Sequence, residues 1–292
     1  MNKINKDPIL YSMDELKIMA KRLRLTSLIE HAAELSLDED SCNWSIHQWL
    51  GVLLSTEIGR RDEVALARRL QEANLEFADA CYPRIDKDPA RQLDMTRVNN
   101  LFSLDWVKRK QNCIITGTTG TGKTWMADAI CQAACMKGYK VKSYRMHTLL
   151  RMYARFQRPT EAGSDMQFKF LRDLSKFDVL HIDDWAVASG IEIDPLYRTG
   201  LYEIINQCSG RTSILTSGVP PVETWAAFIG DPTVADSILD RLVQRAIRLE
   251  LKGPSLREKE IYGGVPQDDV GWGAKFGPEG SSIIGSPSGN PE

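Results

Sequence analysis

The sequence has no long hydrophobic run, no paired-cysteine motif and no large excess of charge of either sign. Its unbroken apolar stretches are a few residues long, whereas a membrane-spanning helix needs about 20 residues. The polar N-terminus is not followed by the apolar segment of a secretory signal, so we expect a cytoplasmic protein without a membrane partner. The 37 basic and 39 acidic residues give a formal net charge of -2, which argues against a chain-wide polycation made for nucleic acid.

The six cysteines are scattered along the chain. Cys131 and Cys135 lie four residues apart on a predicted helix, a spacing that would also suit a metal site. Because no histidine or cysteine follows at ligand spacing, we favour buried thiols over a metal site. The cysteine pattern therefore predicts a reduced protein.

The chain is long enough for about two domains, and 42% of its 292 residues are apolar. Its first part is predicted to be helical, with Ser12 and Glu15 forming a capping box at the start of the first helix. Further helices are expected at about residues 44–58 and 64–70. The predicted division is a helical N-terminal domain at 1–80, a proline-containing linker at 81–94, a second domain at 95–262 and a disordered Gly/Pro/Ser-rich tail at 263–292.

Strand and helix patterns alternate in the second domain. This alternation predicts an α/β fold in which helices cover both faces of a parallel sheet. Strands are expected at 112–116, 141–144, 178–182, 212–216 and 247–251. Helices are expected at 123–136, in the stretch from the second strand to residue 176, and at 196–208.

A glycine-rich loop follows the first of these strands and opens a helix. It matches G-x-x-x-x-G-K-[ST] completely, and such loops cradle phosphates with inward-pointing backbone N–H groups at a helix N-terminus. We expect Lys123 to reach the β- and γ-phosphates of ATP and the Thr124 hydroxyl to bind Mg²⁺. The predicted ATP-binding residues are Gly117, Thr118, Thr119, Gly120, Thr121, Gly122, Lys123, Thr124 and Trp125.

Two carboxylates end a later apolar strand, where a metal site beside the loop would need them. We expect Asp183 to hold Mg²⁺ through water and Asp184 to orient the attacking water. The next strand ends in Thr216 and Ser217, where a residue that senses hydrolysis would lie, although both types are also common strand residues. His181 in mid-strand is interpreted as a packed core residue rather than a ligand.

These motifs in this order resemble the AAA+ ATPases, in particular the IstB-like transposition helpers, whose sister group is the DnaC-type helicase loaders. Three stretches carry most of the resemblance: the loop continuing into Trp125, the segment 180–185, and the segment 230–243. Residues 250–257 resemble the end of the IstB core. The similarity covers about residues 15–260.

The resemblance implies roles for two arginines. Arg241 corresponds to the arginine finger, which reaches the nucleotide of a neighbouring subunit, and Arg257 to the second sensor, which contacts the γ-phosphate within one subunit. The sequence departs from the family pattern at two places. Asp184 stands where many AAA+ enzymes have glutamate, although IstB-like proteins often have aspartate there, and Gly218 follows Ser217 where the family often has an Asn or Gln. Both departures predict slow ATP turnover, as in an ATP-timed switch.

A basic stretch lies between the two ATP-site motifs. From residue 137 to 176, ten basic residues are interrupted by only three acidic ones. Sequence-independent contact with the DNA backbone is one interpretation, and a solvated basic surface is the other. Aromatic residues at this spacing are more often core residues than base contacts. The candidate DNA contacts are Lys140, Lys142, Arg145, Arg151, Arg155, Arg158, Lys169 and Arg172.

The resemblance implies an ATPase that forms a homo-oligomeric ring or helix on double-stranded DNA and presents the target DNA to a cognate transposase. The helical N-terminal domain would dock DNA or the transposase. Three alternatives remain open: a DnaC-like helicase loader, a small-molecule kinase with the same phosphate loop, and a scaffold that binds nucleotide without hydrolysing it.

Overall fold

The computed structural model describes residues 11–156, 161–186 and 193–256. Residues up to Pro254 cluster into one unit, to which every element below belongs. No helix in the part of the chain that the structure describes is both long and apolar enough to cross a membrane. Arg158, Arg257 and the predicted tail fall outside the described residues.

Three helices open the chain: α1 (Met13–Leu23), α2 (Thr26–Leu35) and α3 (Ile46–Ala73). The predicted capping box of α1 is confirmed. The Glu15 carboxylate accepts the backbone N–H of Ser12 at 2.8 Å, and the Glu15 N–H donates to the Ser12 hydroxyl at 3.3 Å. These reciprocal bonds satisfy donors that the first turn of a helix leaves unpaired.

The two helices expected at about 44–58 and 64–70 are one continuous helix of 28 residues, so the predicted break between them is wrong. Ion pairs of Glu57 with two arginines lie at the position of the predicted break. Glu57 is buried and accepts hydrogen bonds from Arg60 and Arg61, three and four residues later. These partners lie on the same face of a helix, and the Arg60 bond lowers the pKa of Glu57 to about 2.

The C-terminal end of α3 packs against the sheet domain. Arg69 Nε donates to the Cys135 carbonyl at 2.9 Å, and Lys142 Nζ donates to the Glu72 carbonyl at 2.8 Å. Two 3-10 turns follow within the segment predicted as a linker, where Ile85 and Arg91 are buried. The division of the chain at residues 80 and 95 stays a prediction.

A five-stranded parallel sheet forms the centre of the fold, as predicted. Its strand order is β2-β3-β4-β1-β5, so β3 and β1 both pair with β4. The two carboxylates at the end of β3 and the loop after β1 therefore lie at the same end of the sheet. The strands are β1 (Cys113–Gly117), β2 (Val141–Arg145), β3 (Val179–Asp183), β4 (Ser213–Gly218) and β5 (Ile247–Leu251).

Helices cover both faces of this sheet. Alternate residues of a strand point to opposite faces, so Ile114 joins one apolar cluster and Ile115 the other. The Ile115 face packs against the end of α3 and against α4 (Met95–Ser103), α5 (Asp105–Lys108) and α6 (Lys123–Met136). The Ile114 face is covered by α7 (Met146–Phe156), α8 (Glu161–Leu174), α9 (Pro195–Cys208), α10 (Trp225–Ile229) and α11 (Pro232–Val243).

Cys131 and Cys135 are free, buried thiols on α6, which confirms the interpretation from the sequence. Burial raises the pKa of both. Among the described residues, no cluster of three or more histidine, cysteine or acidic side chains could hold a metal ion.

Candidate nucleotide-binding site

The glycine-rich loop joins β1 to α6, as its sequence predicts. A Cβ atom at Gly117 would collide with the carbonyl oxygen of Leu251 in β5, so only glycine lets the loop leave the sheet at this point. Lys123 Nζ folds back to donate to the Thr118 carbonyl at 2.8 Å. The lysine ammonium and the N-terminus of α6 therefore face the same loop, which suits it to bind phosphate.

Arg91 supports the loop from its protein-facing side. Its buried guanidinium donates from Nη2 to the Thr121 carbonyl at 2.8 Å and from Nη1 to the Asp86 carbonyl at 3.1 Å. The guanidinium therefore ties the loop backbone at Thr121 to the segment around Asp86. Sequence reasoning missed Arg91, because its segment reads as a linker and its partner is 30 residues away.

The two predicted magnesium ligands are in contact. Thr124 Oγ1 donates to the Asp183 carboxylate and lies 3.0 Å from Oδ2 and 3.2 Å from Oδ1. Asp183 ends β3 and is buried. A hydroxyl and one carboxylate are hard oxygen donors, and such a small set suits Mg²⁺, which keeps several water ligands of its own. The residues present therefore fit the metal.

Of the two candidate sensor residues, the structure places Ser217 at this site. Its hydroxyl donates to Asp183 Oδ1, and it lies 2.8 Å from His181 Nε2. Thr216 is also buried, but its hydroxyl has no hydrogen-bond partner among the described residues. Neighbouring residues of a strand face opposite sides, so only one of the two can point at Asp183.

The Gly218 departure from the family pattern has a steric reason. A Cβ atom at this position would lie 2.5 Å from the carbonyl oxygen of Trp185. Trp185 follows the two carboxylates, donates its backbone N–H to the Ser217 carbonyl at 2.9 Å, and packs its ring against Trp225 at 4.9 Å between centroids. The backbone after β3 thus occupies the space that a larger sensor side chain would need.

Asp184 is half-exposed beside Asp183, and its backbone is in the left-handed region with φ of 54°. Partial burial, followed by the neighbouring Asp183 charge, raises its pKa. Arg145 Nε lies 3.9 Å from its carboxylate and Arg145 Nη2 donates to Glu76 at 2.8 Å. Arg145, predicted as a DNA contact, is therefore placed among the acidic groups of the nucleotide site.

His181 is fully buried, which confirms its interpretation as a core residue. Burial lowers its pKa to about 4, so the ring is neutral at pH 7. Its hydrogen bonds to Ser143 and Ser217 were not predicted, because both partners come from other strands.

Asp128 on α6 is a second buried polar group that the sequence analysis missed. Its Oδ2 accepts the backbone N–H groups of Glu76 at 2.9 Å and Phe77 at 2.8 Å, directly after α3. Burial raises its pKa to about 6 despite these bonds. The sequence does contain a sign of this role, because Asp128 lies within the otherwise apolar run from Met126 to Cys131. A charged residue at such a position is expected to face the core and to need hydrogen-bond partners there.

A cavity of about 200 Å³ opens beside Thr124 and Asp183, the two predicted magnesium ligands. Thr124 and Asp183 line one side, and the end of α3 with Glu76 lines another. The nucleotide site is thus in contact with the chain that leaves the N-terminal helices.

Arg241 lies far from this site in its own chain. Its Nη1 donates to the Ser237 carbonyl at 2.7 Å, and its own carbonyl accepts Asn112 Nδ2 at 2.7 Å. Asn112 precedes β1, whose other end carries the loop, so Arg241 lies at the opposite sheet edge. A cavity of about 260 Å³ there is lined by Arg241, Arg109, Lys110 and Arg245, among other residues.

The remaining candidate DNA contacts divide into two sets. Lys142 is used internally, since it bonds to Glu72 and lies 5.5 Å from the ring centre of Tyr144. The aromatic Tyr153 within the basic stretch is a core residue, as favoured from the sequence. The exposed members are Lys140, which directly precedes β2, Arg151 and Arg155 on α7, and Lys169 and Arg172 on α8.

Comparison with known proteins gives consistent matches along the chain. A family model described as IstB-like ATP binding protein matches residues 18–262. A protein named as an insertion-sequence ATP-binding protein in Sinorhizobium fredii is 34% identical over 239 residues, which cover 82% of this chain and 93% of that protein. A counterpart in the IS1162 insertion sequence of Pseudomonas fluorescens is also 34% identical, over 68% of this chain and 83% of that protein.

Similar solved structures include the DnaC helicase loader, with a TM-score of 0.45 and 16% identity over 62% of this chain and 98% of that one. AMPPCP-bound DnaA from Aquifex aeolicus has a TM-score of 0.46 and 17% identity, over 63% of this chain and 53% of that one.

Proposed function

The chain belongs to the IstB-like family of ATP-binding proteins, and from this premise we propose that it hydrolyses ATP, assembles on DNA and presents target DNA to a transposase. The observation that carries the proposal is the contact of Thr124 and Ser217 with Asp183 beside a complete phosphate-binding loop. This arrangement provides phosphate binding, metal binding and a sensing hydroxyl within one sheet edge.

In the proposed reaction, Lys123 and the loop N–H groups bind the β- and γ-phosphates, and Asp183 with Thr124 holds Mg²⁺. When bound, Mg²⁺ supplies positive charge that stabilises the transferring phosphoryl group. Asp184 orients the attacking water. Its side chain is shorter than glutamate and is drawn towards Arg145, so we propose slow turnover suited to a timing switch.

Two arginines complete the site in the proposal. Arg241 stabilises the γ-phosphate charge in a neighbouring subunit, and Arg257 does so within its own subunit. The position of Arg241 at the sheet edge opposite its own loop supports action between subunits. A homo-oligomer is therefore part of the proposed mechanism.

We place the DNA-binding surface on the exposed basic residues of α7 and α8. Arg151 and Arg155 are one helical turn apart and exposed, as are Lys169 and Arg172 on the next helix. Such side chains contact phosphates without reading bases, so binding would depend on salt more than on sequence. The transposase partner is inferred from relatives named after insertion sequences.

The test combines three measurements on the full chain. DNA duplexes of unrelated sequence are titrated by fluorescence anisotropy with ATP, a non-hydrolysable analogue or ADP. Electron microscopy compares the assemblies under the same conditions, and phosphate release measures hydrolysis. ATP-dependent oligomers on all duplexes are the expected result. Monomers in every condition, or ATP consumption that requires a phosphate-accepting metabolite, would contradict the proposal.

A further inference from the structure

A line of buried hydrogen bonds runs behind the metal-binding pair, from β2 through β3 to β4. Ser143 Oγ lies 2.9 Å from His181 Nδ1, and His181 Nε2 lies 2.8 Å from Ser217 Oγ. Ser217 Oγ contacts Asp183 Oδ1 in turn. His181 and Ser217 are both fully buried, so bulk water does not compete for these atoms.

The chemistry of these groups fixes the direction of the line. The hydroxyl proton of Ser217 must lie between Ser217 and Asp183, because an ionised carboxylate only accepts hydrogen bonds. With that proton committed, Ser217 Oγ can only accept from His181, so Nε2 must carry a hydrogen. In the neutral ring, Nδ1 then accepts from the hydroxyl of Ser143.

We propose that His181 is a positioning residue whose Nε2–H orients the Ser217 hydroxyl onto Asp183 and thereby fixes the carboxylate that holds Mg²⁺. Groups that hydrogen-bond to a metal ligand set its orientation and its affinity for the metal. The successive donors all point towards Asp183, so each bond polarises the next. This role rests on the proposed function, because it concerns the Mg²⁺–ATP site.

The opposite arrangement has a distinct signature. Asp128 Oδ1 lies 3.7 Å from His181 Nδ1 and has no hydrogen-bond partner among the described residues. A hydrogen on Nδ1 would face this carboxylate, and Nε2 would then accept from Ser217. In that case Ser217 could not donate to Asp183, and His181 would not support the metal ligand. The position of the ring proton therefore decides between the two arrangements.

The first measurement reads the ring proton in the wild-type chain. Long-range ¹H–¹⁵N correlation spectra of the ¹⁵N-labelled protein distinguish the two imidazole tautomers. The chain contains four histidines, and His181→Gln identifies the signal of interest by its loss. We expect hydrogen on Nε2 at neutral pH. A signal with hydrogen on Nδ1 alone would overturn the proposal.

The second measurement compares two amide variants of the same residue. The side-chain amide nitrogen of His181→Gln can reach the position of Nε2 and donate to Ser217, whereas that of His181→Asn reaches only the position of Nδ1. Mg²⁺ is titrated while binding of a fluorescent ATP analogue is followed. We expect His181→Asn to raise the Mg²⁺ concentration for half-saturation roughly tenfold, and His181→Gln to restore most of this loss.

Two controls separate this role from simple structural damage. Nucleotide binding without Mg²⁺ should be the same in both variants, because neither touches the phosphate loop. Equal Mg²⁺ dependence in His181→Asn and the wild type would overturn the proposal, and if a variant does not fold, the wild-type spectrum decides. A wild type that binds Mg²⁺–ATP but never hydrolyses it would refute the proposed function while both measurements still test His181.

Discussion

The Thr121 carbonyl, inside the phosphate-binding loop, accepts a hydrogen bond from the buried guanidinium of Arg91. The loop is therefore held from both sides, by Lys123 on the phosphate face and by Arg91 on the protein face. Because the shape of such a loop determines which N–H groups meet the phosphates, Arg91 is expected to affect ATP affinity without touching ATP.

We expect Arg91→Met to weaken ATP binding about tenfold, because a hydrogen bond from a charged group contributes about 1.5–3 kcal/mol and 1.4 kcal/mol corresponds to tenfold. The measurement is equilibrium titration with a fluorescent ATP analogue. Arg84→Met is the matched control, since that guanidinium is exposed and pairs with Asp79 on the surface. Equal affinity in the two variants would contradict a role for Arg91 in the loop.

The Thr124 hydroxyl can be tested by substitutions that keep or remove its oxygen. Thr124→Val preserves the shape of the side chain and should raise the Mg²⁺ requirement for ATP binding roughly tenfold or more, whereas Thr124→Ser should remain near the wild type. Binding of the analogue is followed against Mg²⁺ concentration. If valine and serine gave the same curve, the hydroxyl would not be a metal ligand.

Asp128 should make the stability of the protein depend on pH. Its pKa rises from 3.8 to about 6 on folding, so the folded protein holds the proton more tightly than the unfolded chain. The free energy of unfolding therefore loses its contribution from Asp128 as pH rises from about 4 to about 6, by up to about 3 kcal/mol at 1.36 kcal/mol per pKa unit.

This contribution is measured as the difference between the wild type and Asp128→Asn in urea unfolding at several pH values. All other titratable groups are present in both proteins, so their contributions largely cancel in this difference. The wild type should lose stability relative to the variant across this interval. A difference that stays constant from pH 4 to 7 would show that Asp128 does not titrate as its burial implies.

Action of Arg241 between subunits can be tested by mixing variants. Arg241→Ala retains its own loop, and Lys123→Ala retains its own Arg241, so neither homogeneous assembly contains a complete site. A mixture of the two should recover part of the wild-type hydrolysis, because some junctions then combine both intact parts. Phosphate release is the measurement. An inactive mixture, despite co-assembly seen by electron microscopy, would place Arg241 outside the reaction.

The proposed DNA surface predicts a uniform loss of affinity. The double variant Arg151→Glu and Arg155→Glu should weaken binding to all duplexes alike and reduce the slope of log affinity against log salt by about one unit for each phosphate that is no longer neutralised. Anisotropy titrations at several salt concentrations provide both quantities. Arg211→Glu, at an exposed site between α9 and β4, is the control. Unchanged binding by the double variant would reject this surface.

The sequence predicts the parts of the site that depend on local order. The loop from Gly117 to Thr124 has a fixed spacing, and Asp183 ends an apolar strand, so both can be recognised without a fold. Neighbouring parallel strands also predict that Asp183 and Ser217 lie at one edge. The sequence does not show which of Thr216 and Ser217 points towards Asp183. That depends on which face of the sheet each side chain lies on, and both residues carry the same hydroxyl group.

Interactions between distant segments account for what was missed. Arg91 meets Thr121 across 30 residues, and Asp128 meets Glu76 across 52. Arg145 is a predicted DNA contact because it belongs to a basic stretch, but its position at the end of β2 brings it to Glu76. Charge counted along the sequence does not reveal which basic side chains the fold pairs internally.

The packing of Trp185 against Trp225 gives the protein an optical reporter of its own. Trp185 follows the two carboxylates directly, and its backbone N–H bonds to Ser217. We therefore expect binding of Mg²⁺ and nucleotide beside Asp183 to change the surroundings of this indole. Emission from a buried aromatic pair responds to such changes without an attached dye. The chain contains seven tryptophans, among them Trp125 beside the loop. Stopped-flow recordings of intrinsic fluorescence, with Trp185→Phe as reference for the other six, can therefore time nucleotide arrival and departure in the unlabelled chain.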